Sequence, residues 1–166
     1  MNVLKKLLLA AAVLAGGLAA VKLAAAVERD WTIRPGALGD IKVGAPLPLF
    51  VLGMSPDFYQ GYYADGIPYI GCHLPSRDIS IRLTFFILVQ GITPGPEYRT
   101  AQNTGQGSTL AELRAAHDAV ETVLHPEPLN CVALTPDLPG VSFEFTDCEA
   151  ANSGAGAERV HLYRKD

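Results

Sequence analysis

Alternation of apolar and polar residues predicts β-strands in three parts of the chain. In residues 79–90 every second residue up to Val89 is apolar and the second half is apolar on both faces, which predicts a central strand. Residues 141–145 and 159–164 alternate in the same way. Because residues 132–134 and a turn-rich stretch precede the first of these two, we predict a hairpin and then a final strand.

A period close to that of an α-helix occurs once, over residues 110–124. Thr109 is placed as its N-cap, and Glu112 follows three residues later as the second member of a capping box. Pro126 ends the predicted helix. The apolar face is formed by residues spaced three and four apart: Leu110, Leu113, His117, Val120 and Leu124.

These elements predict an α+β domain in which an antiparallel sheet packs against one main amphipathic helix. A doubly wound parallel sheet would need several crossover helices, and the pattern offers one. Residues 39–47 and 103–110 share a glycine before a small residue and a leucine, and each is followed by strand-like sequence. This similarity leaves open an origin in two diverged half-domains.

An apolar stretch near the start predicts the compartment. Seventeen of the 20 residues at positions 7–26 are Ala, Val or Leu, and Lys5 and Lys6 precede them. A basic start, an apolar run and small residues at a cleavage point are the regions of a secretory signal peptide. We therefore predict a signal peptide at residues 1–26 and a single exported α+β domain at residues 27–166. An uncleaved anchor is the alternative, and only then would the protein contact a membrane.

Charge narrows the partners that this domain can have. The chain carries 13 Lys and Arg against 17 Asp and Glu, a net charge of −4, and loss of residues 1–26 removes three lysines and no acid, leaving −7. An acidic domain repels nucleic acid. We expect a periplasmic or secreted protein, with an envelope protein or a small ligand as its partner and no nucleic acid.

Three cysteines in an exported chain predict one disulfide and one free thiol. Cys131 and Cys148 flank the predicted hairpin, whose outer ends lie close together, so we favour a disulfide between them. Cys72 beside His73 is the alternative functional site, that of a small envelope hydrolase with a thiolate nucleophile. Neighbouring residues of a strand point to opposite faces, however, which favours a buried structural thiol at Cys72.

Two other segments are candidate binding sites. One is an aromatic group that predicts either an adhesive surface or ordinary core at the edge of the sheet: Phe58, Tyr59, Tyr62, Tyr63 and Tyr69. The other precedes the predicted helix and has the layout of an anion site, although the capping box competes for its backbone N–H groups: Gly105, Gly107, Ser108 and Thr109.

No pattern predicts a metal, a cofactor or a catalytic residue. His117 and Glu121 share one face of the predicted helix, as two metal ligands or as a surface pair, but no third ligand accompanies them. The G-x-S-x-G motif of many hydrolases is missing. His161 is expected on the solvent side of the last strand.

Residues 103–114, a glycine-rich cap and short helix, together with residues 138–145 resemble a signature of uncharacterised exported bacterial proteins. The same pattern is similar to parts of outer-membrane assembly lipoproteins and β-lactamase-inhibitor-like domains, although this chain lacks the lipoprotein cysteine. The resemblance implies a binding or scaffolding module without catalytic residues. We therefore expect a non-enzymatic exported binding or interaction module of the bacterial cell envelope.

Overall fold

The computed structural model describes residues 16–17, 19–23, 28–63, 66–85, 87–126 and 129–164. Most of the predicted signal peptide lies outside these residues. Within them, no helix is both long and apolar enough to cross a membrane.

The described chain consists of strands joined by short turns, with a few short helices between them. From residue 28 onward the helices of the described chain are α1 (Leu49–Gly53), α2 (Leu110–Ala116) and α3 (Cys148–Asn152). The strands are β1 (Ile33–Arg34), β2 (Ala37–Leu38), β3 (Ile41–Lys42), β4 (Asp57–Tyr62), β5 (Pro68–Leu74), β6 (Ile79–Thr84), β7 (Leu88–Pro94), β8 (Glu121–Pro126), β9 (Leu129–Leu134), β10 (Val141–Phe145) and β11 (Arg159–Tyr163).

The longer strands form one antiparallel sheet of eight, in the order β4-β5-β6-β7-β11-β10-β9-β8. Each half of this sheet is a simple meander, β4 to β7 on one side and β8 to β11 on the other. The halves meet at β7 and β11, where Ile92 lies opposite Leu162 and Gly91 opposite Tyr163. The strands β1, β2 and β3 form a separate small sheet.

One face of the large sheet carries the hydrophobic core. In β6, Ile79, Ile81 and Leu83 are buried, whereas the residues between them are half exposed. Neighbouring strands continue this buried row through Cys72 on one side and Ile92 on the other. The period of two along each strand therefore divides the sheet into a dry face and an open face.

Residues from the helices and the small sheet cover the dry face. Leu38 of the small sheet, Val51 of α1, Leu113 of α2 and Ala151 of α3 all belong to the same core as the strands. The architecture is thus mostly antiparallel sheet with short helices on one side. The α+β class fits it, but one main amphipathic helix does not.

The predicted helix over residues 110–124 is wrong in its second half. The capping box of Thr109 and Glu112 forms as predicted, but α2 ends at Ala116 and His117 is already extended. The chain then enters β8, which pairs with β9 along its whole length. Residues 120–124 satisfy both periods, and pairing with a neighbouring strand decides between them.

The predicted strand over residues 79–90 is also wrong, because it is a hairpin. β6 ends at Thr84, Phe85 adopts a left-handed backbone with φ 51°, and β7 begins at Leu88. The apolar run gave no turn residue at this point, so alternation alone did not reveal the reversal. Residues 57–62, three of which are aromatic, gave no strand prediction and form the edge strand β4.

The hairpin of β9 and β10 and the final strand β11 are confirmed. A disulfide joins Cys131, on β9, to Cys148, at the start of α3, with 4.8 Å between their Cα atoms. Cys72 is free and buried in the core.

A candidate binding trough on the open sheet face

A cavity of about 650 Å³ lies on the open face, and side chains from all eight strands line it. A cavity that reaches every strand requires the sheet to curve around it, and we call it the trough. The volume falls within the range of small-molecule sites. The lining residues are Tyr59, Tyr69, Ser80, Arg82, Thr93, Val123, Asn130, Val132, Leu134, Ser142, Glu144, Arg159, His161 and Tyr163.

His161 lies in the middle of the trough, on β11. Its Nε2 accepts a hydrogen bond from Nη2 of Arg82. A guanidinium group can only donate, so the imidazole is neutral and carries its proton on Nδ1, which faces Thr93 Oγ1 at 3.2 Å. Burial, and then the charges of Arg82 and Arg159, lower the pKa of His161 to about 4.

The tyrosine rings of the trough lie flat on glycines of the neighbouring strand. A Cβ atom added at Gly71 would be 2.1 Å from Cζ of Tyr59, and one at Gly61 would be 2.3 Å from Cζ of Tyr69. These residues are direct cross-strand partners in β4 and β5. The glycines leave space for the rings, and the rings cover the backbone that the glycines would expose. Burial, followed by the neighbouring Tyr69, raises the pKa of Tyr59.

Arg82 has no ionic partner among the described residues. Its guanidinium donates to His161 and also lies 5.8 Å from the centre of the Tyr63 ring. Ion pairs in the described part of the chain involve other residues. Glu144 is the one acid in the lining and lies opposite Arg159 in the β10–β11 register. No carboxylate of the described residues lies within ion-pair distance of Arg82, so its charge remains uncompensated.

Asn130 contributes an unsatisfied polar atom to the trough wall. Its Oδ1 is buried and has no hydrogen-bond partner among the described residues. Buried acceptors without a partner are uncommon in folded proteins, and each one requires an explanation.

The structure divides the predicted aromatic group between the two faces of β4 and β5. Tyr59 and Tyr69 line the trough. Tyr63 follows on the same side, and its hydroxyl donates to Gln90. Phe58 and Tyr62 alternate with them and lie on the other side of β4, both more than half exposed. Whether any of them contacts a partner stays a prediction.

The backbone N–H groups of the predicted anion segment are all engaged. Gly105 donates to Oγ of Ser108, and Gly107 donates to the carbonyl of Ala157. Ser108 donates to the carbonyl of Gly105, and Thr109 donates to the Glu112 carboxylate. Whether this segment binds an anion stays a prediction.

His117 takes part in a buried hydrogen-bond chain instead of pairing with Glu121. Its Nδ1 lies 2.8 Å from Oδ2 of Asp137, and its Nε2 lies 2.8 Å from Oγ1 of Thr104. Burial raises the pKa of Asp137, but hydrogen bonds from Thr135 and His117 outweigh it and lower the pKa overall. Thr104 is only 3% exposed, so this end of the hydrogen-bond chain is closed to solvent. The described residues contain no cluster able to hold a metal ion.

Cys72 and His73 do not form one site. Cys72 faces the core, where burial raises the pKa of its thiol to about 11, so it is protonated at neutral pH. His73 points to the open face, where its Nδ1 lies 3.2 Å from Oγ of Ser80. The strand geometry separates the two residues as the sequence predicted.

Sequence reasoning missed Arg82, Arg159, His161 and Asn130 as possible site residues. They are distant in sequence and meet only through the strand order. The repeated Tyr-x-Gly pattern at Tyr59 and Gly61, and again at Tyr69 and Gly71, was the available signal, because it predicts rings lying across glycines of a neighbouring strand.

No protein-family model and no curated protein matches the sequence. A solved structure, that of the uncharacterized protein YfeY from Escherichia coli, is similar in fold: its TM-score is 0.56 at 9% identity, over 80% of this chain and 99% of that one. At this identity the likeness concerns the fold alone.

Proposed function

We propose that this protein is a non-enzymatic, exported binding module of the bacterial cell envelope and that the trough is its ligand site. The observation that carries the proposal is an uncompensated, half-buried guanidinium, Arg82, held in place in a cavity of ligand size. A site of this kind fixes a ligand through a few positioned polar groups.

The chemistry of the trough supports binding over catalysis. Both ring nitrogens of His161 have protein partners, Arg82 and Thr93, so neither is available to accept a proton from a substrate. The low pKa of this imidazole also makes it a poor base at neutral pH.

One contact favours a second candidate, a hydrolase in which Ser80 is the nucleophile and His73 its base. No described acid hydrogen-bonds to His73 to orient it. Hydrolysis of 4-nitrophenyl butyrate tests this candidate. We expect no difference between the wild type and Ser80→Ala, whereas loss of turnover in the variant would make the protein an enzyme.

Export is supported by the apolar N-terminal segment of the sequence and is compatible with the Cys131–Cys148 disulfide. Expression of the full chain in bacteria, followed by fractionation and N-terminal sequencing, tests it. We expect an envelope product that begins at Val27. A cytoplasmic product that keeps residue 1 would contradict export, and an envelope product that keeps it would indicate the uncleaved anchor.

The trough as ligand site is tested with immobilised exported chain incubated with envelope extract. Mass spectrometry identifies what is retained by the wild type, by Arg82→Gln and by Arg114→Gln, an exposed arginine of α2 outside the trough. We expect Arg82→Gln to lose compounds that the other two proteins retain. Identical retained sets for all three proteins would contradict the proposed site.

A further inference from the structure

We infer that the trough takes a small monocarboxylate with an apolar body, whose carboxylate binds at Arg82. This inference rests on the proposed function, because it names the ligand class of the same site. It follows from where charge, apolar surface and unsatisfied polar groups lie in the lining.

The charge of the trough selects for an anion. Arg82 and Arg159 face a single acid, Glu144, so the lining is net positive within a chain of net charge −4. Glu144 is opposite Arg159 and repels a carboxylate from that part of the trough. A ligand carboxylate is therefore directed to Arg82.

Arg82 is prepared to accept that carboxylate. One N–H donates to His161, and the other guanidinium N–H groups have no protein acceptor among the described residues. A guanidinium that presents two parallel donors forms the bidentate pair typical of arginine with carboxylates. The bond to His161 restrains the side chain before the ligand arrives, which lowers the entropy cost of binding.

The apolar body follows from the opposite wall. Leu134 lies across β10 from His161, on the same register row, and Val132 and Val123 continue the wall. Strands are about 4.8 Å apart, so this apolar surface begins about 10 Å from the centre of the trough. A chain of about eight carbons spans that distance, and acetate does not.

Asn130 supplies an independent sign that the trough is built for a ligand. Its buried Oδ1 lies beyond Val132 on the same wall and lacks a donor. An unpaired buried oxygen does not stabilise the free protein. A ligand that carries a hydrogen-bond donor at the end opposite its carboxylate would satisfy this oxygen.

Calorimetry with octanoate, its neutral analogue octanamide and the cation octylammonium tests the inference. We expect octanoate to bind at least tenfold more tightly than octanamide and octylammonium not to bind. Arg82→Gln is expected to weaken octanoate at least tenfold and to leave octanamide unchanged. Arg82→Lys, which keeps the charge but not the planar fork, is expected to lie between the wild type and Arg82→Gln.

A matched pair of variants on β8 tests the apolar body. Val123 lines the trough, and Leu124 beside it points away; both are about half exposed, so either change to Ser is tolerated. We expect Val123→Ser to weaken octanoate several-fold and Leu124→Ser to have no effect.

Equal affinity for octanoate and octanamide, or no binding of any probe, would overturn the inference. Retention of extract compounds that depends on Arg82 would still support the trough as a ligand site of another class. If the retention of extract compounds does not depend on Arg82, the proposed site itself is contradicted. Failure of the ligand class and failure of the site are therefore distinguishable.

Discussion

His161 shows how the neighbours of one side chain fix its protonation state. Arg82 can only donate, so it keeps Nε2 unprotonated, and the adjoining charge of Arg159 opposes a second proton. The pKa of this histidine is about 4 in the folded chain and about 6.5 when unfolded. Between these values the unfolded chain binds more protons, so the free energy of unfolding falls as the pH falls.

The first prediction concerns this acid sensitivity. From pH 7 to pH 4 the wild type is expected to lose about 3 kcal/mol more of its unfolding free energy than His161→Gln, measured by urea unfolding. Glutamine accepts from Arg82 and donates to Thr93 but does not titrate. The lowered pKa of Asp137 also makes the protein acid-sensitive, but equally in both proteins, so it cancels. Parallel pH profiles would show that His161 titrates normally.

The glycines beneath the tyrosine rings give a second prediction. Gly71→Ala pushes the Tyr59 ring off the sheet, because the added Cβ occupies its place. We expect a loss of about 1 kcal/mol in the wild type and a smaller one in Tyr59→Ala, where no ring is displaced. Urea unfolding of the four proteins measures the coupling. Equal costs in both backgrounds would show that the ring does not need the glycine.

At the scale of the element, the three cysteines differ in environment. Cys131 and Cys148 tie β9 to α3 across 17 residues, and Cys72 is enclosed by β5 and its neighbours. The predicted pairing holds because a hairpin brings its outer ends together whatever the details of its turn. We expect the buried thiol of Cys72 to be unreactive while the core is intact.

Thiol labelling gives the third prediction. The native protein is expected to show no rapid reaction with Ellman's reagent at pH 8 and one reactive thiol in denaturant, as expected of a thiol whose pKa is raised to about 11 by burial. Replacing Cys131 and Cys148 together by Ser should reduce the unfolding free energy by about 3 kcal/mol. Cys72→Ser is the comparison, since it leaves the disulfide in place. Rapid labelling of the native wild type would contradict the buried thiol.

The elements that sequence alone predicts are those determined by neighbours in the chain. The capping box of Thr109, the β9–β10 hairpin and β11 are of this kind. The second half of the predicted helix fails because β9, a separate segment, offers pairing to residues 121–126. The hairpin at Phe85 was predicted as a single strand because its apolar sequence contains no typical turn residue. The trough could not be predicted from the sequence, because its residues come together only through the order of eight strands.

At the scale of the whole molecule, the two meanders share one core. The buried cluster runs without interruption from Ile33 and Val51 through Ile92 to Leu162 and Phe143. The register between the meanders is short, but their apolar faces are continuous. Two diverged half-domains would therefore act as a single folding unit.

The fourth prediction is a single unfolding transition. Trp31, the only tryptophan, packs near Phe50 and Tyr98, so its fluorescence reports on the part of the core beside α1. Far-UV circular dichroism reports on all strands. We expect both signals to give the same midpoint. We expect Leu162→Ala to lower the free energy of unfolding by about 2–5 kcal/mol, by the same amount for both signals. Two separated midpoints would show that the meanders unfold independently.

In the described part of the chain, β4 and β8 are the two edge strands of the large sheet and do not pair with each other. An edge strand exposes unpaired backbone N–H and C=O groups. A second copy of the chain that paired with them would extend both the sheet and the trough. Pro56, directly before β4, and Pro126, the last residue of β8, each remove a backbone donor there. We expect these prolines to disfavour pairing with a second copy of the chain at the ends of the two edge strands.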